Sequence, residues 1–214
     1  MRARGGDHLG VDLPGAVVGD QRAASLPLLD RRHLGRGWTD ALMVNNEPRL
    51  DPHGEDEASA RLRAVRHARR LTGLHEGHAW RRRREPRVLL VVRHEVFASA
   101  DDLAHRTLWH EVGPASLDAT WRERWRERDV VPGWIETRDV GQDHGLDDGE
   151  VDWFHVDDHT DPSGGQEVTA YEYVSLWVGR HLVTLTLRHP FELDVDPDLV
   201  RAVETARTRL ASQD

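Results

Sequence analysis

Residues Glu167 to Leu210 constrain this chain more than any other stretch, because their pattern closes on itself as two antiparallel strands and a covering helix. Between Val168 and Val178 the even positions are apolar (Val168, Ala170, Val174, Leu176 and Val178), with Glu172 the one exception. The odd positions hold Thr169, Tyr171, Tyr173, Ser175 and Trp177. Alternation with a period of two, in β-branched and aromatic residues, predicts a half-buried strand. Gly179-Arg180 then supplies a two-residue loop, with glycine in the first position of a type II′ turn.

That loop sets the register. It places Val178 opposite His181, Leu176 opposite Val183, Val174 opposite Leu185 and Glu172 opposite Leu187. Six aliphatic side chains then share one face, and a slip by one residue would scatter them. The other face pairs Tyr173 with Thr186, Ser175 with Thr184, Trp177 with Leu182 and Tyr171 with Arg188. Downstream, Asp196 reads as an N-cap, Pro197 as the first helical residue, and Val195 and Val200 as a hydrophobic staple. Leu199, Val203, Ala206 and Leu210 form one apolar stripe, suited to cover the aliphatic face of the hairpin.

Upstream elements are read the same way. Residues 1–30 lack periodicity and are expected to be a loose arm; residues 31–214 are expected to be one domain, with 31–112 and 113–214 open to being two related halves. A short strand is expected near 41–45, after Leu34-Gly-Arg-Gly-Trp38, and a helix over 55–71 with Gly73 as its stop. Val88 to Phe97 reads as a strand whose continuous apolar run, Val88 to Val92, suggests cover on both faces. Ser99 caps a further helix reaching Val112, and the repeat at Trp121 and Trp125 suits another. Strands are expected at 134–140 and 150–156, and 157–166 has loop chemistry. The sum is an α+β fold: a mainly antiparallel sheet with helices packed on it, closing in a β-hairpin and a C-terminal helix.

Composition excludes several chemistries. The chain has no cysteine and no lysine, so every fixed cation is arginine. Schiff-base, pyridoxal-phosphate and P-loop lysine chemistry are out, as are thiol nucleophiles, disulfides and cysteine-bound metal. No apolar run approaches a membrane span and no signal core follows Arg2 and Arg4. The chain as written is therefore expected to stay in the cytoplasm. A formal charge of −9 disfavours general nucleic-acid binding. The charge is uneven, however: residues 61–93 hold 11 arginines against Glu76 and Glu85.

Four candidate sites follow. Arg81, Arg82, Arg83 and Arg84 form the sharpest charge run; it could meet phosphates or an acidic partner, or pair with the acidic C-terminal half of the same chain. Tyr171, Tyr173 and Trp177, with Arg188 opposite Tyr171, would line an apolar ligand groove if no second layer covers them. His155, Asp157 and His159 have the residue types of a metal site, though solvated loop histidines are the ordinary explanation and no H-E-x-x-H is complete. Asp194, Asp196 and Asp198 have the spacing of a calcium loop but lack its glycine and final glutamate, so a helix start explains them better. Seven serines and no G-x-S-x-G elbow offer nothing for serine catalysis. No cofactor is expected.

Certain motifs together resemble the sensor-like domains of actinobacterial envelope proteins, as in the external domain of a mycobacterial Ser/Thr protein kinase. They are Leu28-Leu29 with Leu34-Gly-Arg-Gly-Trp38, Leu71-Thr-Gly with Gly77, the run Val91 to Ala104, Pro132-Gly-Trp134, and the closing hairpin and helix. The resemblance implies an α+β domain that binds an unidentified ligand, a small molecule or a protein, without catalysis, and an extracytoplasmic location if the N-terminus given is truncated. The chain departs from the family in lacking its paired cysteines and a lipobox. The alternatives left open are a hydrolase built from Asp, Glu and His, with or without metal, and an interaction protein using the arginine run.

Overall fold

The computed structural model describes residues 17–41, 71–99, 135–139, 151–158 and 169–212. Seven strands form one antiparallel sheet: β1 (Trp38–Ala41), β2 (Leu71–Arg82), β3 (Leu89–Phe97), β4 (Ile135–Asp139), β5 (Val151–Asp158), β6 (Thr169–Val178) and β7 (His181–Pro190). Their order across the sheet is β1-β2-β3-β7-β6-β5-β4. Two meanders, β1 to β3 and β4 to β7, therefore join along the β3–β7 seam.

The hairpin register stands as the turn dictates. Val178 pairs with His181, Leu176 with Val183, Val174 with Leu185, Glu172 with Leu187, and Tyr171 with Arg188. Gly179 has φ of 53°, a left-handed value that the first position of either primed turn requires and that glycine adopts without strain.

The three described helices lie on one face. α3 (Asp196–Ala211) packs on β6 and β7, and its Leu199, Ala202, Val203, Ala206 and Leu210 are buried with Val174, Leu176, Val183, Leu185 and Leu187. The cap position falls on Val195 rather than Asp196, with Pro197 still in the first turn. This is a one-residue shift of the kind helix ends commonly show. Asp198 turns its carboxylate onto the sheet, where it meets Arg82 and accepts from Trp38 Nε1 at 3.3 Å. The Arg82 guanidinium also lies 5.6 Å from the Trp38 ring centroid, so β1, β2 and α3 are clasped at one point. The short α2 (Arg31–Leu34) packs against α3 and β1.

α1 (Val18–Ala24) covers the far ends of β2 and β3. The Gln21 side-chain amide pairs with the Leu74 backbone like a strand residue, donating to its carbonyl at 2.7 Å and accepting from its N–H at 3.1 Å. Asp20 receives the Arg180 guanidinium from the β6–β7 turn, which holds its carboxyl below the usual range. Leu28 and Leu29 are buried behind it. The loose arm expected for residues 1–30 is corrected over its described part, residues 17–30. α1 escapes a sequence reading because it is only seven residues long and has no side-chain cap.

Other expectations move. β1 starts at Trp38, three residues before the strand expected at 41–45. Gly73 is no helix stop but lies within β2, whose alternation is broken by register shifts between Leu71 and Gly73 and between His75 and His78. Leu89 and Val91 are half-buried, so cover on both faces begins only further along β3, from His94 to Phe97. β4 and β5 fall within a residue or two of expectation. Of the helix expected over 55–71, Leu71 is the first residue of β2 and the rest lies outside the described residues, as do the helix expected after Ser99 up to Val112 and the one at Trp121 and Trp125.

Gly73 makes the fold directly testable. A Cβ built there would sit 2.6 Å from the Asp20 carbonyl carbon, so alanine forces α1 off the sheet. Gly73→Ala should cost about 1–3 kcal/mol, in the range of overpacked substitutions. Gly37→Ala, where a Cβ meets nothing within 4 Å, should stay within about 0.5 kcal/mol. Urea unfolding of the two variants against the parent checks the pair.

Candidate functional site

Glu172 sits on the helix-covered face of β6, among aliphatic neighbours, and is 2% exposed. A carboxylate cannot remain there without partners. The register supplies them. β5 aligns His155 with Glu172, and two residues further along the same strands it aligns Asp157 with Ala170; β7 aligns His189 with Ala170. Trp153, His155 and Asp157 alternate along β5 onto this one face, so four polar groups and an indole converge.

Glu172 Oε2 accepts from Trp153 Nε1 at 2.7 Å, and its Oε1 lies 2.5 Å from His155 Nδ1 and 3.2 Å from His189 Nε2. His155 Nε2 lies 2.8 Å from Asp157 Oδ1, and His189 Nδ1 lies 2.9 Å from the Pro190 carbonyl oxygen. Burial alone would push the Glu172 carboxyl up; hydrogen bonds from His155, His189 and Trp153 outweigh it and hold the group at about 2. Burial would likewise discharge His155, but Glu172 and Asp157 raise its pKa above the ordinary value. Both ring nitrogens of His155 face carboxylate oxygens, so the ring is an imidazolium donating twice.

That arrangement decides what the cluster can do. A general base needs one imidazole nitrogen with a free lone pair in reach of a substrate proton. His155 has none, since each nitrogen already serves a carboxylate. Of the metal set expected from sequence, His155 and Asp157 meet each other, and His159 lies outside the described residues. Among the described residues no group of three or more His, Asp and Glu is arranged to hold a metal ion. Glu172 and His189 were not singled out from the sequence as site residues. The available signal was Glu172 itself, a charge on an otherwise apolar face.

A second polar island lies under α1. His94, 2% exposed, donates from Nδ1 to the Ala24 carbonyl at 3.2 Å, and its Nε2 accepts from His181 Nδ1 at 2.9 Å. Burial, then the neighbouring His181, push its pKa down to about 4. Neutral His94 is thus the form that holds α1.

The opposite face of the sheet divides into a covered and an open part. Phe154, Val156, Tyr171 and Tyr173 are buried together, and the two tyrosine rings stack at 6.3 Å. Tyr171 and Tyr173 are only 6% and 8% exposed, so they present no groove wall to solvent. Trp177 is half-buried and donates to Asp152 Oδ2 at 3.0 Å. Arg188 is exposed, and around it Thr39, Leu89, Val91, Thr184 and Thr186 are half-buried. The arginine run is split. Arg82 turns to the helix side and is held by Asp198 and Glu85, while Arg81, Arg83 and Arg84 are exposed.

No family model matches this chain, and no curated protein matches it. Among solved structures, the chain is similar to the extracellular domain of PknH from Mycobacterium tuberculosis, with a TM-score of 0.45 and 10% identity over 88% of this chain and 96% of that one. The likeness is a weak structural one. Among the described residues no helix is long and apolar enough to cross a membrane.

The titrations carry opposite signs. Glu172, lowered from 4.5 to about 2 by folding, contributes stability above pH 4.5 that is lost as pH falls from there toward 2. His94, lowered from 6.5 to about 4, makes the native state bind fewer protons than the unfolded chain, so stability also drops as pH falls from 6.5 toward 4. His155, raised, contributes below 6.5 and its share is lost as pH rises through its folded value. Acid unfolding should therefore begin near pH 6 and steepen below 4.5. His94→Asn, whose amide can still donate to Ala24, should remove the first part of the loss. Glu172→Gln should cost about 3 kcal/mol, the scale for breaking one side of a buried pair, and NMR titration of His155 should show its pKa falling.

Proposed function

We propose that this chain is a non-enzymatic binding domain that presents to a ligand the face of its sheet opposite the described helices. The observation that carries the reading is the closed bonding of His155: the acid–base constellation in the core is consumed by its own partners and serves the fold. What supports a binding role is the contrast between the two faces. The helix side is packed from β1 to β5, whereas the other side, over β2, β3 and β7, carries half-buried threonines and exposed arginines. A hydrolase reading would require His155 or His189 to offer a free nitrogen to solvent, and both nitrogens of each ring face protein oxygens.

A thermal-shift screen across small molecules, glycans and peptides tests the reading, because a ligand that binds only the native state raises the midpoint. At a hundredfold excess over Kd the gain is about 2.7 kcal/mol. At least one class should raise the midpoint without being consumed. Steady turnover of any substrate, abolished by His189→Gln in a protein that remains folded, would replace this reading with the hydrolase.

A further inference from the structure

The two residue sets that stood apart in the sequence, the arginine run and Arg188, are brought together by strand register. Arg81 on β2 pairs with Leu89 on β3, and Leu89 pairs with Arg188 on β7. Direct cross-strand partners project from the same face, so Arg81 and Arg188 flank Leu89 in one row, on the side away from the described helices. Their Cα atoms are two strand spacings apart, roughly 10 Å. Arg83 and Arg84 follow at the β2–β3 turn, where the Arg83 N–H donates to the Gly37 carbonyl at 2.9 Å and so fixes that backbone. Arg81, Arg83, Arg84 and Arg188 are all exposed, and among the described residues none of the four pairs with a carboxylate.

Such an arrangement is unfavourable for a chain with no use for it. Like charges gathered in one row and its turn repel, and a protein of net charge −9 has carboxylates enough to offset them. Arg82, one residue away, shows the alternative: it is engaged by Asp198 and Glu85.

Resting on the binding reading above, we infer that this row is the ligand site, and that its ligand is an extended polyanion with a non-aromatic backbone. Oxyanions follow from the guanidinium fork, which meets sulfate, phosphate and carboxylate groups in bidentate fashion. An extended ligand follows from the shape, since cations spread along a sheet face and its turn are better met by charges in series than by one small anion. A non-aromatic backbone follows from the lack of stacking platforms: Tyr171 and Tyr173 are buried, and among the described residues Phe191 is the one exposed aromatic at this end of the sheet. A single-stranded nucleic acid would need several such rings.

The experiment measures binding of the full chain by fluorescence anisotropy to three labelled probes: a sulfated oligosaccharide, inorganic polyphosphate and a mixed-sequence single-stranded DNA of equal charge. The oligosaccharide or the polyphosphate should bind, whichever is better naming the source of the oxyanions. Affinity should fall with salt with a log–log slope of about −3, as for four neutralised charges on a flexible chain. Arg81→Ala/Arg188→Ala should weaken binding at least tenfold. Arg31→Ala, an exposed arginine on α2, should change it less than twofold. The variants' unfolding midpoints must match the parent's, and Arg81→Gln/Arg188→Gln serves if the alanine pair does not fold.

Equal binding by the parent and the double variant, or no binding of any probe at low salt, overturns the inference. DNA bound more tightly than both other probes and weakened by Phe191→Ala would make the ligand a nucleic acid instead. Failure of all three probes alongside a thermal shift from an uncharged compound would sink this inference and leave the binding domain standing.

Discussion

Everything in this fold hangs on the pairing of β6 with β7 through the turn at Gly179-Arg180. The turn contains two residues, so it admits one register, and that register collects Val174, Leu176, Val183 and Leu185 under the apolar stripe of α3. Once that face is buried, β3 and β5 extend it on either side, contributing Leu90 and Val92 from β3 and Val151 and Trp153 from β5 to the same core. The turn also reaches the opposite end of the chain. Arg180 binds Asp20 of α1, its carbonyl accepts from the Phe97 N–H and its guanidinium donates to the Phe97 carbonyl, so the hairpin tip anchors the first helix and the end of β3.

The same register explains why ionisable groups lie in the core without unfolding it. Burying a charge is tolerable when its partners are fixed before it arrives, and strands do this because cross-strand neighbours are set by the backbone. Glu172 is surrounded by an indole and two imidazoles from the two strands that flank β6, and His155 is closed off at both nitrogens. The cluster holds two carboxylates against two imidazoles, which keeps charge balance within reach in an apolar setting. His94 takes the other course: with no carboxylate bonded to its ring it stays neutral, and its one proton ties α1 to the sheet. One sheet face thus carries a charged island and an uncharged one, each solved by different means.

How much of this was legible in the sequence depended on whether periodicity survived. The hairpin and its helix were readable to the residue because Val174 to Leu187 alternate without interruption around a glycine turn. β2 was not, because two register shifts and a left-handed Gly77 (φ 135°) break its alternation, and Gly73 then looks like a helix stop. α1 was hidden by its length; its stability comes from Gln21, Asp20 and Ala24 bonding to the sheet, contacts invisible to any local pattern. For the site, Glu172 stands out as an exception and the hairpin turn brings His189 near it, but His155 and Trp153 become its neighbours only through the β5–β6 pairing, whose register no short turn dictates. The tyrosines were correctly placed on one face, and their burial is a property of the tertiary packing around them.

A run of four arginines looks like one feature in a sequence, yet a strand cannot treat it so. Successive side chains point to opposite faces, so parity alone divides Arg81 from Arg82. Arg82 falls on the side of the helices, where α3 begins and Asp198 is waiting; its guanidinium becomes part of the clasp that holds β1, β2 and α3 together. Arg81 falls on the side where no described helix packs, in line with Arg188 from the distant end of the chain. Adjacent residues of the same type thus meet different surroundings because the pleat sends them to opposite faces. Arg188 joins by the same rule, since the β3–β7 register that pairs Val92 with Leu185 also pairs Leu89 with Arg188. The core register, fixed by aliphatic burial on one side of the sheet, is what determines which charges meet on the other.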